Sequence, residues 1–118
     1  MTGAPAEPMS EGQWRQIAGL IGLGARGRLV VVGVEQVRNA AKRGKVQVAV
    51  VAPDVSRHSK DKIMPLLRAR QVTIVEGPSA SALGAAVGRE STAVVGILAR
   101  DLARGVRAAW RAAGAATP

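Results

Sequence analysis

Apolar residues recur along this chain in two patterns that alternate from one end to the other. Around Ile17, Leu20 and Ile21 they are spaced three or four residues apart, which predicts a helix with one buried face. Residues 29–32 and 46–52 are instead dense runs rich in valine, as expected for strands covered on both faces. The alternation of the two patterns predicts an α/β sandwich with helices on both faces of a sheet.

Five helices and four strands are predicted. The helices fall at about residues 11–26, 34–43, 59–70, 79–87 and 101–113, and the strands at 29–32, 46–52, 72–75 and 92–98. Pro65 lies inside the third helix, where it removes a backbone hydrogen bond, so we expect that helix to kink or restart there. We predict one domain over residues 11–113, with a disordered leader at 1–10 and a frayed tail at 114–118.

Net charge is the property that most narrows the class of partner. Seventeen Lys and Arg residues against eight Asp and Glu give a formal charge of +9, which favours nucleic acid or an anionic membrane surface. The plain alternative is a genome whose base composition favours arginine and alanine codons. No apolar run reaches the roughly 18 residues that span a membrane, and residues 1–10 lack the apolar stretch of a signal peptide. We therefore expect a cytoplasmic protein with no membrane partner.

Groups that could carry catalysis or hold a metal are scarce. The chain has no cysteine, its single histidine is His58 in a predicted polar loop, and its carboxylates are scattered. Gly22, Gly24 and Gly27 match the spacing of a dinucleotide-binding fingerprint, but here a helix precedes and a strand follows, which reverses the required order. Helix termination and tight packing explain these glycines better. We predict no enzyme activity, no cofactor and no metal.

Basic residues gather in two parts of the chain. Residues 26–45 contain six Lys or Arg against one Glu, and residues 57–70 contain five against one Asp. Either group could be an ordinary solvated helix face. The first group surrounds Gly33, where a strand turns into a helix and a glycine lets a ligand approach the exposed backbone amides. Glu35 and Gln36 follow on the first helical turn, where they could hydrogen-bond base edges while cations hold phosphates.

Aromatic side chains offer no stacking platform. Trp14 and Trp110 are the only aromatic residues, and both have the spacing of a helix core. This argues against domains that stack bases on strand aromatics. The residues therefore predict binding to structured RNA through its shape, its phosphates and a few base-edge contacts.

Several segments together resemble one known family. Residues 33–44 (GVEQVRNAAKRG), followed by the strand at 46–52 and by Pro53-Asp54, resemble the signature of the L7Ae/L30e ribosomal protein family, whose members bind kink-turns in RNA. Residues 83–90 (LGAAVGRE), followed by the strand at 92–98, continue the resemblance, which covers about residues 16–104. The run at 23–29 is most similar to the bacterial, ribosome-associated branch.

The resemblance implies an α-β-α sandwich on a four-stranded mixed sheet, with RNA contacts at the start of the second helix and at the loop before the last strand. Carried over by position, the first region holds Arg28, Gly33, Glu35, Gln36, Asn39, Lys42 and Arg43, and the second holds Val87, Gly88, Arg89, Glu90 and Ser91. The polar residues of the helix start would read tandem sheared G·A pairs, and the loop would cover a flipped-out base. The implied partners are structured RNA, ribosomal in origin, and ribosomal or translation-factor proteins, with the chain itself a monomer.

Three departures from the family pattern keep a second hypothesis open. The family usually has Asn-Glu at the positions of Glu35 and Gln36 and Lys at that of Asn39, and its loop is less polar than residues 89–91. The change at Asn39 favours a protein-interaction module of the same fold that has lost specific kink-turn recognition. An exposed apolar patch around Gly33 without a basic rim would support that alternative.

Overall fold

The computed structural model describes residues 9–115 and contains helices and strands in the predicted order. The helices are α1 (Glu11–Arg26), α2 (Val34–Lys42), α3 (Arg57–Ala69), α4 (Ala80–Ala86) and α5 (Arg100–Ala115), and the strands are β1 (Val30–Val32), β2 (Val48–Val51), β3 (Thr73–Glu76) and β4 (Val94–Ile97). α5 continues to Ala115, and most of the predicted leader and the end of the predicted tail lie outside the described residues.

The four strands form one mixed sheet in the order β1-β4-β2-β3. β4 pairs antiparallel with both of its neighbours, so that Val95 lies opposite Val32 of β1 and Val50 of β2. β2 and β3 pair in parallel. The last strand of the chain is therefore inserted between the first two, and the mixed sheet that the resemblance implied is confirmed.

Each face of the sheet is covered by helices, with a separate apolar core on each side. Val48 and Val50 of β2 face α1, α4 and α5, whereas Ala49 and Val51 face α2 and α3. All four of these residues are buried, as expected when alternate side chains point to opposite covered faces. The three-layer α-β-α sandwich is confirmed.

Serine side chains set the start of three helices. Ser10 forms a capping box with Gln13 at the start of α1, and Ser79 accepts a hydrogen bond from the Ala82 amide at the start of α4. Ser56 caps α3 in the same way, so this helix begins two residues before its predicted start at residue 59. α3 also continues through Pro65 instead of restarting there, because the side of the helix that carries Pro65 is exposed and water can satisfy the freed carbonyl.

Four helices end in the same hydrogen-bonded motif. In each, the residue after the helix cap adopts a left-handed conformation and the next amide donates back to the last turn of the helix. The left-handed residues are Arg28 (φ 60°), Gly44 (φ 70°), Gln71 (φ 59°) and Gly88 (φ 78°). A side chain in this conformation costs about 1–2 kcal/mol, so α1 and α3 end with strain that glycine would relieve.

We expect Gln71→Gly to raise the free energy of unfolding. Glycine removes the left-handed strain but adds entropy to the unfolded chain, which leaves a net gain of about 0.5–1 kcal/mol. Chemical denaturation monitored by circular dichroism measures the change. Gln16→Gly, the same replacement at an exposed position inside α1, should instead lower stability by about 0.5–1 kcal/mol. Equal losses for the two variants would contradict the strain at residue 71.

Candidate nucleic-acid interface

The sheet topology brings the two predicted RNA-binding regions together at one end of the strands. β1 and β2 both run antiparallel to β4, so they finish at the end of the sheet where β4 begins. The turn at Gly33 follows β1 at this end, and the loop of residues 88–91 leads into β4. The backbone N–H of Gly33 donates to the Val94 carbonyl over 2.9 Å, which joins the two segments directly.

The start of α2 is open to a ligand. Gly33 has φ 100°, and a Cβ placed on it would meet no atom within 4 Å. No side chain caps the helix, and its first backbone bond runs from the Val37 amide to the Gly33 carbonyl (3.0 Å). The earlier first-turn amides thus have no partner within the helix, and they carry the partial positive charge of its N-terminus.

A groove of about 350 Å³ lies beside this helix start. Both apolar residues and polar or basic residues line it. The lining residues are Ala25, Arg28, Val30, Val31, Val32, Gln36, Val87 and Arg89. Three predicted site residues, Arg28, Gln36 and Arg89, therefore meet at one groove although they come from three separate segments.

The exposed residues of α2 divide between two faces. Gln36, Asn39 and Arg43 follow each other at helical spacing on the face that includes the groove lining. Glu35 lies on the other face, towards α3, where its carboxylate is 3.8 Å from Arg38 Nη1 and 3.4 Å from Lys62 Nζ. The structure thus separates Glu35 from Gln36, which the sequence analysis had given one shared role. Lys42 lies on the α3 side with Glu35.

The loop before β4 is shaped by the end of α4. Gly88 adopts φ 78°, and the Arg89 amide donates to the Gly84 carbonyl over 2.8 Å. Arg89, Glu90 and Ser91 are all exposed, but only Arg89 lines the groove. The loop ends where the Thr92 amide donates to the Ala80 carbonyl over 3.1 Å.

Comparison with known protein families identifies the family of this chain. The profile of the Ribosomal protein L7Ae/L30e/S12e/Gadd45 family matches residues 15–106. The chain belongs to this family. No match was found among curated protein sequences.

Solved structures show the same family fold. A Bacillus halodurans protein of unknown function is 28% identical, with a TM-score of 0.74, and the match covers 80% of this chain and 95% of that one. The Giardia lamblia 15.5kD RNA binding protein is 19% identical with a TM-score of 0.76, and the match covers 98% of each chain. At 19% identity, the similarity to the Giardia protein shows a shared fold.

Gly84 is a site residue that the sequence analysis quoted in a motif without giving it a role. A Cβ at Gly84 would lie 2.6 Å from the backbone nitrogen of Ser91, so only glycine lets the loop pass this close to α4. The available signal was a glycine in the middle of a short helix, which often marks a close backbone approach. In this member of the L7Ae/L30e family, Gly84 positions the second predicted RNA-binding region.

We expect Gly84→Ala to displace residues 88–91 and to destabilise the domain by about 1–3 kcal/mol, because the loop backbone must move to admit a methyl group. Amide chemical shifts of residues 88–92 and denaturant unfolding would report the two effects. Gly19→Ala is the matched control, since a Cβ there meets nothing within 4 Å and alanine should stabilise the exposed helix by about 1 kcal/mol. Unchanged shifts in the loop of the Gly84 variant would refute the contact.

The single histidine and the glycine triplet of the sequence have the following positions in the fold. His58 lies exposed in the first turn of α3, because Ser56 starts that helix early, and not in a loop as predicted. Gly24 packs against β1, where a Cβ added to it would lie 2.9 Å from Val30 Cγ1, which confirms the packing explanation at this member of the glycine triplet. Within residues 9–115, no cluster of three or more potential ligand side chains could hold a metal ion, and no helix has the length and apolarity to cross a membrane.

Proposed function

We propose that this chain binds structured RNA at a kinked or internally looped site, using the groove beside the start of α2. The observation that carries the proposal is the meeting of Arg28, Gln36 and Arg89 around one groove that valines also line, next to an uncapped helix N-terminus. Single-stranded or unstacked bases need an apolar surface with polar groups at its rim, whereas a plain duplex does not expose its bases in this way.

Each part of the groove suits a different part of the RNA. The valines of β1 and Val87 supply the apolar part of the lining, against which a base can lie. The Gln36 amide carries both donors and an acceptor, which allows it to pair with a base edge. The α2 amides and the guanidinium groups of Arg28 and Arg89 suit phosphate oxygens. Trp14 and Trp110 pack against the core, as predicted, which leaves base recognition to this groove.

The family and one structural neighbour support the proposal. The matched family is named after ribosomal proteins, and the Giardia neighbour is described as an RNA binding protein. Kink-turn geometry, a ribosomal RNA target, a bacterial ribosome-associated role and a cytoplasmic location are the finer parts of the proposal. Asn39, Arg43, Gly88, Glu90 and Ser91 remain predicted contact residues around the groove, and Glu35 and Lys42 remain predicted contact residues on the α3 side of α2.

A protein-interaction role is the second candidate. Leu23 and Leu29 are exposed to 61% and 42%, which gives this role an apolar surface near the end of α1. The groove next to Gly33, however, is lined by the basic residues Arg28 and Arg89. The arrangement beside Gly33 therefore favours RNA over an apolar protein partner.

We expect Gln36→Ala to remove the preference for looped RNA. The lost base-edge contact should weaken binding to a kink-turn RNA by about 1–3 kcal/mol and leave binding to a plain duplex of equal length unchanged. Fluorescence anisotropy with both RNAs at several salt concentrations measures the preference.

Two comparisons make that result specific. Gln16→Ala, the same change at an exposed position on α1, should leave both affinities at the wild-type value. Lys42→Gln or Arg43→Gln should weaken both RNAs alike, because phosphate contacts carry no sequence information. A Gln36 variant with wild-type preference would show that the groove does not read the RNA.

We expect Arg28→Gly to stabilise the protein while weakening RNA binding. Glycine relieves the left-handed strain at φ 60°, for a net gain in stability of about 0.5–1 kcal/mol. It also removes one cation from the groove, which should reduce the slope of log affinity against log salt concentration by about one. Gln71→Gly is the control, with the same relief of strain and no loss of charge. RNA affinity that stays at wild-type level in the Arg28 variant would exclude this guanidinium from the interface.

A further inference from the structure

A strongly basic seam runs between the two helices on one face of the sheet. It is formed by four cations and one carboxylate, namely Arg38 and Lys42 of α2, Lys62 and Arg70 of α3, and Glu35. Arg38 Nε donates to the Lys62 carbonyl over 3.2 Å, and Arg70 Nη2 donates to the Lys42 carbonyl over 2.9 Å. These bonds hold two guanidinium groups across the contact between the helices, and the Lys62 ammonium group is held there by Glu35.

The seam carries more positive charge than its own contacts balance. Glu35 is the carboxylate that bridges it, between Arg38 and Lys62, and both ion pairs are exposed to solvent. Arg38 and Arg70 each use few of the five N–H donors of a guanidinium group, so further donors remain for an anion. Like charges held side by side repel, and a polyanion lying along the seam would relieve that repulsion.

The seam and the groove lie on opposite faces of α2 and come closest at the start of that helix, where Glu35 of the seam precedes Gln36 of the groove. α2 follows β1 and α3 follows β2, and these strands finish at the same end of the sheet. Both helices therefore begin at the end of the sheet where Gly33 lies. Glu35 and Lys62 mark the end of the seam next to Gln36. From there the seam extends to Lys42 and Arg70, which is about 10 Å along the axis of α2.

The second basic group of the sequence is divided by this arrangement. Lys62 and Arg70 belong to the seam, whereas Lys60 and Arg68 line a separate cavity that also includes Asp61 and Glu76. That cavity has both signs of charge, which does not favour a polyanion. The seam has one dominant sign of charge, and one end of it lies at the start of α2, next to the groove.

We propose that the seam between α2 and α3 holds the phosphate backbone of an RNA stem that flanks the looped site bound in the groove. This inference rests on the proposed function and extends it to Lys62 and Arg70. A phosphate backbone is a regular row of anions and suits cations that are fixed by helix contacts. The seam therefore selects RNAs with a stem on the α3 side of the loop.

The test compares full-length variants on a kink-turn RNA whose two stems are shortened in turn. Lys62→Gln/Arg70→Gln should bind the intact RNA about tenfold more weakly than wild type at low salt, with a salt slope reduced by about two. Shortening one of the two stems should weaken wild type and abolish the difference between wild type and variant. Lys62→Arg/Arg70→Lys keeps both charges and should restore most of the affinity.

The control is Arg15→Gln/Arg104→Gln, which removes two charges from the helices on the opposite face. Arg104 also lies in an exposed ion pair, 3.9 Å from Asp101, so the control matches the loss at Lys62. A seam variant that behaves like this control, while Gln36→Ala still loses its preference, would overturn the seam and leave the groove proposal standing. Equal weakening for every stem length would also overturn it. Failure of wild type to bind any of the RNAs would reject the proposed function and the seam together.

Discussion

The backbone hydrogen bond from Gly33 to Val94 is the interaction on which the candidate interface depends. It fixes the end of β1 against the start of β4, and therefore holds the start of α2 beside the loop that follows α4. Neither segment alone forms a groove. A change that shifts β4 by one residue would turn its side chains to the opposite face and break this alignment, so the buried valines on both faces of β4 protect the site.

The same helix-termination motif places both arginines at the groove. Arg28 and Arg89 follow the ends of α1 and α4, where each helix closes with a left-handed residue and a backward hydrogen bond. Arg28 is itself the left-handed residue, and Arg89 comes directly after one. Helix ends thus fix the backbone positions from which these two exposed side chains extend.

Much of the fold could be predicted from periodicity, because long amphipathic helices and buried valine runs are strong signals. Helix boundaries differed from the predicted ones where a local side-chain contact sets them, as Ser56 does at the start of α3. The site was predicted less completely. Glu35 and Gln36 are neighbours in the chain, yet they point to different faces of a helix and meet different partners. The role of Gly84 depends on a loop seven residues away, and the seam from Arg38 to Arg70 depends on helix packing. Contacts of this kind follow from tertiary structure, which spacing along the chain does not encode.

The insertion of β4 between β1 and β2 has a consequence for the synthesis of the protein. The partners Val32 and Val95 are separated by more than half of the chain, and β1 has no other strand neighbour in the sheet. During translation the first half of the polypeptide would leave the ribosome with β1 unpaired and α2 without its opposite loop. The groove therefore cannot form on a nascent chain until β4 has emerged and paired with β1.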